Sequence, residues 1–268
     1  MNNFAITDKE LRDYMFCPAY YDFKYNNKSL ANMERKKTEN EMLNKVVLSF
    51  CASIMDGELL SPKAIKRKWN LVCKNNQDMT NEKIAEGFSK LMSFYRWAED
   101  QEINVIDALS RYKVKFFVNK NSVDLTGDIG IIAMTKDKKF EELVIDFSNR
   151  RPNQVTLDRS LKFSLSHVGF YYSLPEEDRV ELIGTRIFHV KSGEEFYTVR
   201  DPRVEVKKIA RLSYNVARAI NDKIFYPAES PMCSTYCPAD TFCAMWGTPS
   251  LEKNGDDILW LHQQTQLF

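Results

Sequence analysis

The 268-residue sequence has almost no net charge: 38 Lys and Arg stand against 37 Asp and Glu, leaving +1. That balance excludes a uniformly basic nucleic-acid sleeve, so any nucleic-acid surface must be a local patch. The chain also lacks an apolar run long enough to span a bilayer. Its opening, MNNFAITDKE, has neither the basic n-region nor the apolar h-region of a secretory signal. The expectation is a cytoplasmic, reducing compartment with no membrane partner. Six cysteines there serve as metal ligands or buried apolar residues rather than as disulfides. There is no internal repeat and no low-complexity segment, which leaves one large domain or two small ones. What is present is an ordinary apolar fraction, 44%, enough for a sizeable core.

Thr7-Asp8-Lys9-Glu10 reads as a capping box before a short helix that ends near Cys17-Pro18. Met42, Val46 and Phe50 share one face of a helix over roughly 31–55. Ser61-Pro62 opens a helix to about Cys73, and Thr80 or Asn81 opens one to about Glu102. The period then shortens towards two. Strands are expected around Lys113–Val118, Leu125–Met134 and Leu143–Phe147, with a polar turn at residues 135–139. A helix over 158–173, strands over 180–190 and 195–199, and a helix over 203–221 follow. This order fits a mixed α/β domain.

Cys233, Cys237 and Cys243 lie within eleven residues in a Pro- and Ser-containing loop. Three such thiolates can converge on one metal centre, and zinc and a [4Fe–4S] cluster both accept a fourth. Cys17 is the best fourth ligand, because Cys-Pro ends a helix and lets the chain turn. Cys51 and Cys73 read as buried small hydrophobes. The alternative for the other four is burial without a metal.

The stretch Tyr14-Met15-Phe16-Cys17-Pro18-Ala19-Tyr20-Tyr21, set against Cys233, Cys237-Pro238 and Cys243, resembles the iron–sulfur branch of the RecB-like PD-(D/E)XK nucleases. That branch includes the AddB nuclease domain and the CRISPR-associated RecB-like exonucleases. The resemblance implies a restriction-endonuclease-like core, a mixed central sheet flanked by helices, with a helical N-terminal part and a C-terminal cysteine cluster. Residues 1–250 would form one domain closed by a [4Fe–4S] cluster on Cys17, Cys233, Cys237 and Cys243, with a helical insertion at about 56–102. Residues 251–268 would be a tail. The final trio has one residue more after Cys233 than the family's usual spacing.

The resemblance carries the family's active-site motifs over with departures. Gly127-Asp128 matches the Gly-Asp strand motif and makes Asp128 a metal ligand. In the next strand Asp146 matches the acid of (Asp/Glu)-x-Lys, but Ser148 stands at the lysine. Asn44 stands where the early helix has histidine. His167, four residues before Tyr171, replaces the glutamine of Gln-x₃-Tyr. Two carboxylates on adjacent strands can bind Mg²⁺ or Mn²⁺, which polarises phosphate and activates water. A serine cannot supply the charge of the missing lysine; Lys162 and Arg150 are the candidate cations to stand in by position. The alternative for Asp128 and Asp146 is a solvated turn carboxylate and a strand-end charge.

Arg35-Lys36-Lys37, Lys66-Arg67-Lys68-Trp69 and Arg150-Arg151 are candidate phosphate contacts, with Trp69 or Tyr20 as stacking surfaces. The alternative is a solvated helix face for each. The chain ends Gln264-Thr265-Gln266-Leu267-Phe268, which resembles the bacterial sliding-clamp pentapeptide, with Gln264, Leu267 and Phe268 as its specified positions. Alternatively Leu267 and Phe268 pack on the domain.

Three functions follow. The first is a DNA-binding protein on an iron–sulfur nuclease fold with weakened or lost catalysis. It would bind single strands or ends as a subunit or adaptor in replication, recombination or transcription, tethered to a sliding clamp. The second is an active Mg²⁺- or Mn²⁺-dependent DNA exonuclease. The third is an interaction protein that uses the fold as a scaffold.

Overall fold

The computed structural model describes residues 3–27, 38–58, 60–74, 76 and 78–228, with Cys233, Cys237 and Cys243. It divides into two compact units, one of Met1–Asp8 and Lys36–Tyr214, the other of Lys9–Arg35 and Asn215–Phe268.

The first unit is α/β. Its helices start where side chains can take the orphan N–H groups of a first turn. In α3 (Glu39–Met55), Thr38 accepts from Glu41 N–H and the Glu41 carboxylate accepts from Thr38 N–H. Ser61 caps α4 (Pro62–Cys73), with Pro62 at the first position, and Thr80 caps α5 (Asn81–Asp100). Their apolar faces bury Met42, Val46, Phe50, Ile65, Leu91 and Phe94 in one cluster. Cys51 and Cys73 belong to that cluster, and burial pushes their thiols up to about 12 and about 11. Trp69 is fully buried, donates from Nε1 to the Ile84 carbonyl at 2.8 Å and fills a notch left by Gly87. It is therefore a core residue, not the stacking surface that its basic neighbours led the sequence reading to expect.

A six-stranded mixed sheet carries the unit. Its strands are β1 (Asn3–Thr7), β2 (Asn104–Val118), β3 (Asn121–Met134), β4 (Phe140–Asp146), β5 (Leu182–His189) and β6 (Glu194–Thr198). Their order is β1-β3-β4-β5-β6, with β2 on β3. Asn119 and Lys120, at φ 48° and 64°, join β2 to β3 in a tight turn whose twist matches the strands. β4 and β5 are parallel, and α6 (Gln154–Asp158) and α7 (Leu161–Ser173) span the crossover between them. One helix was expected over 158–173. Two form, because Asn153 caps the first and Ser160 stands at the N-cap of the second.

Alternation along the strands assigns the faces. Leu143, Ile145, Phe147, Phe188 and Val190 join the α3–α5 cluster. On the other face α7 sets Gly169 against Tyr112 and Ser166 against Glu142. β1 was not foreseen, although the helix α1 (Asp8–Phe16) begins directly after Thr7 as the capping-box reading implies.

In the second unit, α1 and α2 (Pro18–Tyr21) meet the segment that follows α8 (Pro202–Asn221). Tyr14 Oη donates to the Ile224 carbonyl at 2.7 Å, Ala19 N–H donates to Tyr226 O at 3.1 Å, and Phe225 stacks on Tyr21. Asp13 accepts from Lys24 and Tyr25. Among the described residues, no helix is long and apolar enough to cross a membrane.

Candidate carboxylate site and cysteine cluster

β2 occupies one edge of β3 along its length, so β1 and β4 share the other. β1 pairs with β3 up to Thr126, and β4 pairs from Ile131 onward. The segment Gly127-Asp128-Ile129-Gly130 lies between these two ladders. Both β1 and β4 run into this interval by their C-terminal ends, and Gly130 turns through it at φ +96°. A place where a strand changes partners at the carboxyl ends of its neighbours leaves a crevice that a ligand can enter. Asp128 lies in the interval, and Asp146 ends β4.

Each carboxylate has its own partners. Asp128 is exposed and pairs with Arg111 Nε at 3.2 Å. Asp146 is half-buried: Oδ1 accepts from Ser148 N–H at 2.8 Å, and Oδ2 lies 3.0 Å from Ser148 Oγ. The same hydroxyl lies 2.9 Å from the Arg150 carbonyl, so one proton serves two acceptors. Ser148 is fixed in turn by β5. His189 Nε2 lies 2.9 Å from the Ser148 carbonyl and must donate to it, while Nδ1 lies 2.8 Å from Ser192 Oγ. The chain Ser192–His189–Ser148–Asp146 therefore holds the carboxylate from behind.

One of the expected stand-in cations, Lys162, is engaged elsewhere. Lys162 Nζ lies over the Phe163 ring, and its charge acts on Glu142. Arg151 forms a two-pronged pair with Glu194 at 2.7 and 2.8 Å and lies over Phe196. It anchors the loop after β4, and the guanidinium remains exposed. Arg150 is exposed. Asn44 is exposed on α3.

His167 is sealed from solvent, whereas Tyr171 is half-buried. His167 is 1% exposed, with Nε2 3.0 Å from Thr185 Oγ1 and 3.8 Å from Glu142 Oε2. Burial is the main cause that lowers its imidazole to about 4. Tyr171 meets Tyr172 edge to face, and the Arg179 guanidinium lies over both rings. Glu142, which no motif singled out, is the hub of the buried group. Its Oε2 accepts from Ser166 Oγ and Thr185 Oγ1, each at 2.9 Å, and burial drives its carboxyl up. The available sequence signal was an acid inside a strand with apolar residues on both faces.

Gly127 owes its identity to packing. A Cβ there would come 2.4 Å from Tyr112 Oη, and one on Gly169 would come 2.4 Å from the same ring. Tyr112 is thus clamped between two glycines, one from β3 and one from α7.

The four cysteines all belong to the second unit. Cys17 is buried and the other three are half-buried, and none of the six cysteines is in a disulfide. Cys17 Sγ accepts from Ala228 N–H at 3.4 Å, and Cys233 Sγ donates to the Ala228 carbonyl at 3.7 Å. Two thiols distant in sequence thus meet on one residue. Among the described residues no group of three or more His, Cys, Asp or Glu side chains is placed to hold a metal ion. Gln264, Leu267, Phe268 and Arg35-Lys36-Lys37 lie outside the described residues.

No family model matches the chain, and no curated protein matches it. Among solved structures it is similar to one described as "Crystal structure of SSO0001", at 12% identity and TM-score 0.41, over 91% of this chain and 87% of that one.

Proposed function

We propose that this chain is a DNA-binding protein on the iron–sulfur RecB-like PD-(D/E)XK nuclease fold, with cleavage weakened or lost. It works as a cytoplasmic subunit or adaptor in replication, recombination or transcription and reaches a sliding clamp through Gln264, Leu267 and Phe268. The observation that carries this reading is Ser148. At the position where the family keeps a lysine, a serine turns its N–H and hydroxyl onto Asp146. A neutral donor can orient that carboxylate but cannot neutralise charge building on a phosphate.

The cysteines support the cofactor part. Cys17, Cys233, Cys237 and Cys243 supply four thiolates, the donor set of a [4Fe–4S] cluster or a structural zinc. The Ala228 N–H on Cys17 Sγ is the kind of hydrogen bond that steadies a ligating sulfur. Held by these four thiolates, such a group would cross-link the chain around Cys17 to the segment from Cys233 to Cys243. Asp128 and Asp146 would hold Mg²⁺ or Mn²⁺, which would bind a DNA phosphate.

A second reading, an active exonuclease, is favoured by the open interval in the sheet beside Asp128. One set of measurements separates the two. Protein purified without air is assayed for iron, sulfide and zinc, for binding to labelled DNA, and for Mn²⁺-dependent cutting of single-stranded ends. The proposal expects iron, binding and no cutting. Cutting that Asp128→Ala and Asp146→Ala both abolish replaces it with the exonuclease. Protein with neither iron nor zinc overturns the cluster, and clamp binding unchanged on removal of residues 264–268 overturns the tether.

A further inference from the structure

The β2 face that turns away from Tyr112 has an ordered pattern. Arg111, Lys113, Lys115 and Phe117 are exposed, while Tyr112, Val114 and Phe116 between them are buried. Alternation therefore sets three cations and one aromatic ring in a single row, with about 7 Å between neighbours. The register extends each position across the sheet. Arg111 faces Asp128, Lys113 faces Thr126 and then Thr7, Lys115 faces Asp124 and then Ala5, and Phe117 faces Ser122 and then Asn3. Asn3, Ala5 and Thr7 are exposed as well.

The charges divide by strand. From Arg111 to Phe117 the outer strand carries cations only, whereas β3 carries Asp124 and Asp128 on this face. Those acids pair with Lys115 at 3.6 Å and Arg111 at 3.2 Å, but in both pairs the cation is exposed, at 49% and 84%. Exposed pairs of this kind contribute little, so a phosphate can share or take over the cation. The same acids repel a polyanion from the middle of the sheet and confine it to the outer row. Phe117 is 70% exposed at the end of that row, next to the turn carrying Lys120. A file of cations with an aromatic ring in line is what one nucleic-acid strand needs: charge along its backbone and a ring for a base. A duplex would need a second file of cations across a groove, and β3 presents acids there.

We propose that the exposed face of β2 is a track for single-stranded nucleic acid, in which Arg111, Lys113 and Lys115 take phosphates and Phe117 stacks a base. The track leads along the strand to Arg111 and its partner Asp128. It rests on the reading of the chain as binding single-stranded DNA and adds to it a location.

The test is fluorescence anisotropy with labelled oligothymidylate over a series of salt concentrations. Lys113→Ser with Lys115→Ser should make the slope of log affinity against log salt shallower by about 1.4, from about 0.7 per phosphate contact. Phe117→Ser should weaken binding roughly 5- to 100-fold with the slope unchanged, since one stacked base is lost. Lys66→Ser with Arg67→Ser on α4 should change neither. Circular dichroism checks that each variant is folded; all these side chains are exposed. The track is overturned if the β2 variants bind as the wild type does, if the α4 variant alone loses affinity, or if duplex shows the same losses as single strand. Wild-type protein that binds no oligonucleotide overturns the DNA-binding reading itself. Wild-type binding with indifferent β2 variants overturns only the track.

Discussion

Glu142 and Asp146 lie four residues apart on one face of β4, and they illustrate opposite uses of a carboxylate. In the middle of the strand Glu142 has no exposed surface. α7 covers it with Ser166 and β5 flanks it with Thr185, so its acid is sealed and driven towards the neutral form. At the end of the strand Asp146 remains half-buried, and its hydrogen bonds come from Ser148, two residues onward. Residue type is nearly the same in both places. What differs is whether a helix closes over the side chain. An acid in the sealed place can only support the core, and an acid in the open place is able to meet a cation.

The sharpest way to break this comparison is to remove each carboxylate. Glu142→Ala strips the acceptor from two buried hydroxyls and opens a cavity, a loss of about 3 kcal/mol or more by urea denaturation. Glu142→Gln keeps shape and an acceptor and should cost about 1 kcal/mol. Asp146→Asn, at the strand's end, should cost no more than about 1 kcal/mol. Equal losses for Glu142→Ala and Asp146→Asn would show that burial does not separate the two sites.

The sealed site also makes a pH prediction. His167 is lowered from 6.5 to about 4, so it stays neutral in the folded protein while the unfolded chain takes up a proton. The stability this contributes is present above pH 6.5 and is lost as pH falls towards 4, by about 3 kcal/mol in all. Glu142 works in the opposite direction. Its raised carboxyl favours the folded state at low pH, and that contribution fades as pH rises from the unfolded value towards the folded one. The two trends partly cancel in the wild type. Stability of Glu142→Gln should therefore rise more steeply between pH 4 and 6.5 than that of the wild type, and His167→Gln should flatten the curve. Parallel curves for all three proteins would mean that these groups titrate alike folded and unfolded.

Smaller still is the effect at Gly127, beside Asp128. Gly127→Ala drives a methyl group into the Tyr112 ring and should cost about 1–3 kcal/mol. Tyr112→Leu in the same chain should make the two losses less than additive, a coupling of about 0.5–3 kcal/mol. Additive losses would assign the glycine a role other than room for that ring.

Much of the fold was written locally. Ser61-Pro62, Thr80 and the apolar spacings mark α4 and α5 within a few residues, and the change of period at about Ile103 marks the sheet. Asp128 and Asp146 are named through the motifs of the family resemblance, which place each on a strand. What they touch could not be named that way. Ser148 reads in sequence as a missing lysine, yet its partner His189 arrives from another strand. Trp69 stands among basic residues and reads as a surface ring, but helix periodicity turns it inward onto Gly87. β1 was missed because five residues carry too short an alternation to stand out, and it forms because β3 offers it an edge. Glu142 was missed because an acid is expected outside, and only the covering helix shows otherwise.

The open end of β4 gives the finest test of the comparison. If Asp146 is held from behind, its support runs through one carbonyl: His189 Nε2 donates to Ser148 O, and Ser148 N–H donates to Asp146. His189→Ala removes that donor and should cost about 1 kcal/mol globally. Its specific mark is local. The Ser148 amide should exchange with solvent roughly 5-fold faster, as about 1 kcal/mol of protection is lost from one opening unit. His189→Gln, whose side-chain amide keeps an N–H to donate, should restore part of that protection. Glu142→Gln on the same strand should leave the Ser148 amide unchanged, because the sealed network shares no hydrogen bond with it. Exchange at Ser148 that follows Glu142 instead of His189 would mean that the strand's end takes its order from the buried middle, and the two carboxylates would then be one structural unit.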